Sequence, residues 1–155
     1  MHGCSEKIQS VSFTYRFGIA EHTISTDDYS LWGGSAGARM AFTSVFILHK
    51  GFIEVTHERP AAVIMGYTGH SEYTPDDPPT NVIIGEDDTI ASPSAMCRRV
   101  EKLQALGIDA EFHLLPHLRH GFGLGRGTTA DGWHEDAVRF WEKYIFRKNG
   151  ISYRK

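Results

Sequence analysis

Apolar residues along this chain recur with two different periods, the sign of strands and helices in alternation. Residues 61–65, Ala-Ala-Val-Ile-Met, form an unbroken apolar run after Pro60, as expected of a strand buried on both faces. Residues 81–84, Asn-Val-Ile-Ile, read the same way and stop at Gly85. Residues 110–115 predict a further strand, and residues 29–32, Tyr-Ser-Leu-Trp, a short one that two glycines interrupt. Helical spacing appears in between. Met40, Ala41, Val45 and Leu48 share one face of a helix that starts near Ser35 and ends at Gly51. Ser92-Pro93 reads as an N-cap with proline at the first helical position. Met96, Val100, Leu103 and Leu106 then line one face, and Gly107 sits where a C′ glycine belongs. A last helix is expected over 132–146, with Trp133, Ala137, Trp141, Tyr144 and Ile145 inward. Asp131, Glu135 and Asp136 at its start and Arg147 and Lys148 at its end complement the helix dipole.

The remaining segments are less regular. Residues 7–20 fit a helical stripe through Ile8, Val11, Tyr15 and Ile19, and also a strand alternation through Val11, Phe13, Tyr15 and Phe17; helix is the preferred reading. Residues 25–28 form a turn, and residues 68–80, with three prolines and Asp76-Asp77, read as a loop with a solvated turn. The order β-α-β-loop-β-α-β-α places the chain in the α/β class, with a mostly parallel sheet and flanking helices.

Composition narrows the function. A length of 155 residues suits one domain, 1–155. Apolar residues make up 41% and there are sixteen glycines, which argues for a buried core and against disorder. Sixteen basic against nineteen acidic side chains give a net charge of −3 without a basic stripe, so no nucleic-acid partner is expected. No apolar run approaches the roughly 18 residues that would cross a bilayer, so no membrane partner is expected either. The first residues lack the apolar stretch of a signal peptide, which points to the cytoplasm for a complete chain and to secretion only if a leader has been lost. Cys4 and Cys97 lack metal-binding spacing and read as two free thiols rather than a disulfide.

Candidate chemistry begins at Gly33-Gly34-Ser35-Ala36-Gly37, a G-x-S-x-G between an expected strand and an expected helix. Small residues allow the backbone to turn tightly and lift a serine hydroxyl to the sheet edge, at a helix N-terminus whose free N–H groups can meet a developing oxyanion. The same residues also suit a plain glycine-rich turn with Ser35 as N-cap. A serine becomes a strong nucleophile only beside a base that a carboxylate orients. Gly85-Glu86-Asp87-Asp88 follows the third strand and Arg119-His120-Gly121-Phe122 follows the fourth, both where doubly wound sheets place their functional loops. The order Ser35, Asp88, His120 is that of α/β-hydrolases. Asp87 competes for the acid role, with Asp88 favoured. His113, His117 and His120 form an H-x3-H-x2-H series that could suggest a metal, although the strand-to-loop break at Pro116 argues against shared ligation. His22, His49, His57, His70 and His134 show no partner pattern and are expected in solvent, while Trp32, Trp133 and Trp141 are expected in the core.

From Asp28 onward the chain resembles the C-terminal half of an α/β-hydrolase, and more narrowly the bacterial acetylxylan-esterase and feruloyl-esterase-like (lipase-like) esterases. Residues 29–41 resemble their nucleophile elbow and the helix after it. Ile84-Gly85-Glu86-Asp87-Asp88-Thr89-Ile90-Ala91 resembles the acid segment, and residues 119–125 the histidine loop. The resemblance implies Ser35, Asp88 and His120 as the catalytic residues, an oxyanion donor at the Ala36 N–H, a small acyl-ester substrate such as an acetylated sugar, and no cofactor or metal. It also implies earlier strands and a His-Gly-Gly-type loop carrying a second oxyanion donor. The 34 residues before Ser35 contain no such loop. The chain is therefore expected to be an N-terminally truncated, partial α/β-hydrolase fold with the early strands missing. Two other readings stay open beside the esterase. One is a catalytically silent interaction module that forms oligomers through an exposed sheet edge. The other is a serine peptidase of the same superfamily.

Overall fold

The computed structural model describes residues 29–49 and 59–148. Four strands, β1 (Ser30–Gly34), β2 (Ala62–Gly66), β3 (Thr80–Gly85) and β4 (Ala110–Leu115), form one sheet in the order β1-β2-β3-β4, and every neighbouring pair is parallel. Three helices, α1 (Ala36–His49), α2 (Pro93–Ala105) and α3 (Trp133–Lys148), complete the described elements. The element order is the expected one. The expected helix at 7–20 and turn at 25–28 lie outside the described residues.

Alternation along β2 and β3 decides which helix covers which face. Val63, Met65, Val82 and Ile84 point to one side, where Ala38 and Phe42 of α1 and Met96, Val100 and Leu103 of α2 meet them. Ala62, Ile64 and Ile83 point to the other side, against Ala137 and Phe140 of α3. Both central strands are buried at every position, which accounts for their continuous apolar sequence.

Local signals fix α2 closely. Ser92 in an extended conformation accepts a hydrogen bond from the Ala95 N–H, and Pro93 follows at the first helical position. At the other end the Ile108 N–H donates to the Leu103 carbonyl and the Gly107 N–H to that of Gln104, with Gly107 at φ +79°. This is the paired bonding of a Schellman cap. Leu106 was expected on the inner face but is the capping residue itself, and it is 47% exposed.

Helix α1 departs from expectation in its facing. Met40 is exposed, whereas Ala38 and Phe42 are buried, because the helix springs from the turn at Ser35 with its first turn pressed on β1. Trp32 is likewise exposed rather than in the core, since it lies on an outer strand of the described sheet. In α3 Phe140 is fully buried, with Trp133, Trp141 and Tyr144 packed partly buried around it.

The connection between β2 and β3 contains no helix, although parallel strands ordinarily need a packed crossover. A buried ion pair takes that place. Asp77, expected in a solvated turn, is buried with Arg99 of α2, whose Nη2 donates to its Oδ2 at 2.7 Å. Arg99 Nε also donates to the Glu72 carbonyl, and Thr74 donates to Asp77 Oδ1 from both its N–H and its hydroxyl. Burial pushes the Asp77 carboxyl up, opposed by its Thr74 and Arg99 neighbours, and pushes the Arg99 guanidinium down, opposed by Asp77. Arg99 lies over the Phe42 ring, which packs at a tilt against His70, so the connection, α1 and α2 meet through these side chains. Arg99→Met should lower unfolding stability by about 3–5 kcal/mol, because it leaves the Asp77 carboxylate buried without its partner. Urea unfolding followed by circular dichroism measures this; a loss below about 1 kcal/mol would class the pair with exposed ion pairs instead.

Candidate active site

All four strands run the same way, so the loops at their carboxyl ends gather on one edge of the sheet. Ser35 follows β1, Tyr67 follows β2, Asp88 follows β3 and His120 follows β4. These residues meet there.

Ser35 occupies the strand-to-helix turn at φ +52°, a left-handed conformation that costs a non-glycine residue roughly 1–2 kcal/mol. Its N–H donates to the Gly66 carbonyl at 2.9 Å, tying the turn to β2. Of the neighbouring glycines, Gly33 is held by backbone contact and Gly34 by the Tyr67 ring, while Gly37 faces open space. A Cβ at Gly33 would lie 2.4 Å from the Ala38 nitrogen, and one at Gly34 would lie 2.4 Å from the Tyr67 hydroxyl. Ala36 begins α1, and the first N–H groups of a helix have no acceptor within it.

His120 joins the other two groups. Its Nδ1 lies 2.8 Å from Asp88 Oδ2 and its Nε2 lies 2.9 Å from Ser35 Oγ. A carboxylate only accepts, so Nδ1 carries the proton and Nε2 accepts from the Ser35 hydroxyl. Asp88 Oδ1 accepts from the Ile90 and Ala91 N–H groups at 2.9 and 2.8 Å, which leaves Oδ2 aimed at the imidazole. Its side chain is fully buried, whereas Asp87 is exposed and makes no contact with His120.

A backbone clasp sets the distance between acid and base. The Glu86 N–H donates to the Leu115 carbonyl and the Asp87 N–H to the Leu118 carbonyl, at 2.8 and 3.0 Å. Gly85 permits this approach, since a Cβ there would lie 2.1 Å from the Leu118 oxygen. Tyr67, which sequence reasoning missed, packs its ring edge-on to His120 and Phe122 and has a positive φ of +34°. Its only sequence signal is its place directly after the strand residue Gly66.

The three histidines His113, His117 and His120 are not brought together. His113 Nε2 instead lies between Asn81 and Glu111, and among the described residues no group of three His, Cys, Asp or Glu side chains could hold a metal ion. His70, expected in solvent, is buried with Arg39 at its Nδ1. Burial pushes its imidazole below the ordinary histidine range, and Arg99 pushes the same way. His134 is only partly exposed, and the side chains of His22, His49 and His57 lie outside the described residues. Cys97 is a free thiol.

Several solved structures share this arrangement of strands and helices. One is a carboxylesterase from Lactobacillus plantarum, with a TM-score of 0.67 and 17% identity over 90% of this chain and 65% of that one. Another is an α/β hydrolase from a Medee basin deep-sea metagenome, with a TM-score of 0.62 and 24% identity over 85% and 61% of the two chains. The chain has the α/β-hydrolase fold. A third neighbour, carboxyl esterase 2 from the fungus Tuber melanosporum, aligns with a TM-score of 0.65 and 13% identity over 83% of this chain and 59% of its own. The chain thus spans less than two thirds of the length of each of these α/β hydrolases. No protein-family model and no curated protein matches it.

Because Gly85 meets backbone rather than a movable side chain, Gly85→Ala should push the histidine loop away from Asp88. A shift near 1 Å at a reacting group costs about a hundredfold in rate. The variant's structure should show His120 Nδ1 and Asp88 Oδ2 out of hydrogen-bond range; an unchanged 2.8 Å contact would contradict the clasp.

Proposed function

We propose that this chain is a serine ester hydrolase in which Ser35 is the nucleophile, His120 the general base and then acid, and Asp88 the group that orients the imidazole. The observation that carries this reading is the pair of hydrogen bonds on His120, 2.9 Å from the serine hydroxyl and 2.8 Å from the aspartate. Ser35 Oγ attacks the ester carbonyl carbon while its proton passes to His120 Nε2. The resulting oxyanion faces the Ala36 N–H at the start of α1, and Asp88 stabilises the imidazolium. Collapse expels the alkoxide, which takes the proton from His120 and leaves as alcohol. The acyl group stays on Ser35. Water then attacks the acyl carbonyl, gives its proton to His120, and the acid departs as Ser35 recovers its hydrogen. Every proton in the cycle passes through one nitrogen, and no metal or organic cofactor takes part.

The carboxylesterase neighbours support an ester rather than an amide substrate. The resemblance of residues 29–41, 84–91 and 119–125 to acetylxylan and feruloyl esterases supports a small acyl group, with an acetylated sugar as substrate class. One observation favours a second reading. β1 has no neighbour on its outer side among the described residues, and the proposed mechanism names a single oxyanion donor, the Ala36 N–H. Such a chain could act as a silent module that pairs through the β1 edge.

Hydrolysis of p-nitrophenyl acetate separates the two. The purified chain should exceed Asp88→Asn by about 10⁴-fold in kcat and Ser35→Ala by at least as much, with all three equally folded. Equal background rates in all three would overturn the esterase reading and leave the module. Cleavage of a matched p-nitroanilide at a comparable rate would shift the assignment to a peptidase.

A further inference from the structure

One aromatic side chain of the hydrolase centre has no part in the proton path. Tyr67, directly after β2, meets the His120 imidazole at 5.4 Å between ring centres and 78° between planes, an edge-to-face contact. The ring is backed from behind. Phe122 packs on it at 4.7 Å and 69°, and Trp133 packs on Phe122 at 6.2 Å and 87°. The Trp133 indole N–H donates to the Gly123 carbonyl, so this run of rings ends on the first residue of α3. The Tyr67 backbone is fixed as well, with its N–H donating to the Ile83 carbonyl at 2.7 Å and its φ at +34°. Gly34 completes the seat, because a Cβ there would lie 2.4 Å from the Tyr67 hydroxyl and 2.5 Å from its Cζ.

While Ser35 is free, two hydrogen bonds orient the imidazole, to Ser35 Oγ at 2.9 Å and to Asp88 Oδ2 at 2.8 Å. Once Ser35 carries an acyl group it has no hydroxyl proton to donate to Nε2, and of the two only the Asp88 bond on Nδ1 is left. A ring held at one atom can swing about that atom. The base is then least constrained at the step in which it must take a proton from water, where misplacement near 1 Å costs about a hundredfold in rate. The Tyr67 contact does not depend on the Ser35 hydroxyl, so it persists through both halves of the cycle.

We propose that Tyr67 is a positioning residue for deacylation: its ring, backed by Phe122, keeps His120 Nε2 in place while Ser35 is acylated. The inference rests on the serine hydrolase reading. In the step concerned, the water oxygen bonds to the acyl carbon as its proton passes to His120 Nε2. The bond from that carbon to Ser35 Oγ then breaks, and Oγ takes the proton. Acylation starts from a base that Ser35 and Asp88 hold together, so it depends less on the ring.

Burst and steady-state kinetics of the purified chain with p-nitrophenyl acetate test it. Tyr67→Asn removes the ring and suits the left-handed backbone, which asparagine adopts more readily than most residues. It should lower kcat about tenfold and KM with it. Its kcat/KM should stay within about twofold of wild type, and acetyl-Ser35 should accumulate during turnover, read by mass spectrometry. Tyr67→Phe keeps the ring and should rescue both constants. Phe122→Leu removes the backing and should move kcat and KM together in the same direction, which keeps the test decisive if Tyr67→Asn does not fold. An unchanged kcat, a fall in kcat with KM unchanged, or a loss in Tyr67→Phe as large as in Tyr67→Asn overturns the inference and leaves the hydrolase reading standing. A wild-type chain without ester turnover overturns the hydrolase reading, and this inference with it.

Discussion

The left-handed backbone of Ser35 is the constraint around which the rest of the site is arranged. An L-residue leaves this conformation unless its surroundings hold it, and here three contacts do so. The Ser35 N–H is fixed by the Gly66 carbonyl, Gly33 lets β1 touch the first turn of α1, and Gly34 leaves room for the Tyr67 ring. The register of β1 on β2, with Gly34 opposite Gly66, is what brings these groups to one place. A bulkier residue at Gly33 would meet the α1 backbone and displace the turn, whereas one at Gly34 would meet the Tyr67 ring.

Parallel strand direction supplies the remaining partners. Each of the four strands delivers one residue to the same sheet edge, so residues 85 positions apart in sequence, Ser35 and His120, come within hydrogen-bond distance. The loops are not left to find their own positions. Two backbone hydrogen bonds bind the Asp88 turn to the histidine loop, and two more hold the Asp88 carboxylate. Rigid backbone thus sets geometry that the side chains complete. Across the sheet, the Arg99–Asp77 pair does for the helix-free connection what a crossover helix ordinarily does.

Much of this was legible in the sequence, for physical reasons that differ by element. α2 was legible because short-range rules govern it: Ser92 and Pro93 start the helix and Gly107 stops it. The glycines around Ser35 were legible because a tight turn demands small residues, whereas Asp88 and His120 stood out by their places after the third and fourth strands and by the resemblance of those segments to α/β-hydrolases. Contacts between distant residues were not. Nothing near Asp77 announces that Arg99, on another element, will bury it, and nothing near His70 announces its contact with Phe42. The facing of α1 is not legible in the sequence because Met40 is as apolar as Phe42, and the turn at Ser35 decides which of them faces the sheet. Nor is the exposure of Trp32, because sequence pattern does not say which strand lies outermost among those described.

Whether the Ser35 hydroxyl is activated by His120 is the central claim, and covalent labelling tests it directly. The purified chain would be treated with a fluorophosphonate probe, and the adduct located by peptide mass spectrometry in the wild type and in His120→Ala. The expected result is a single adduct on Ser35 that is lost in the folded His120→Ala variant. A folded wild-type chain that takes no label, or that takes it on another residue, would contradict the account.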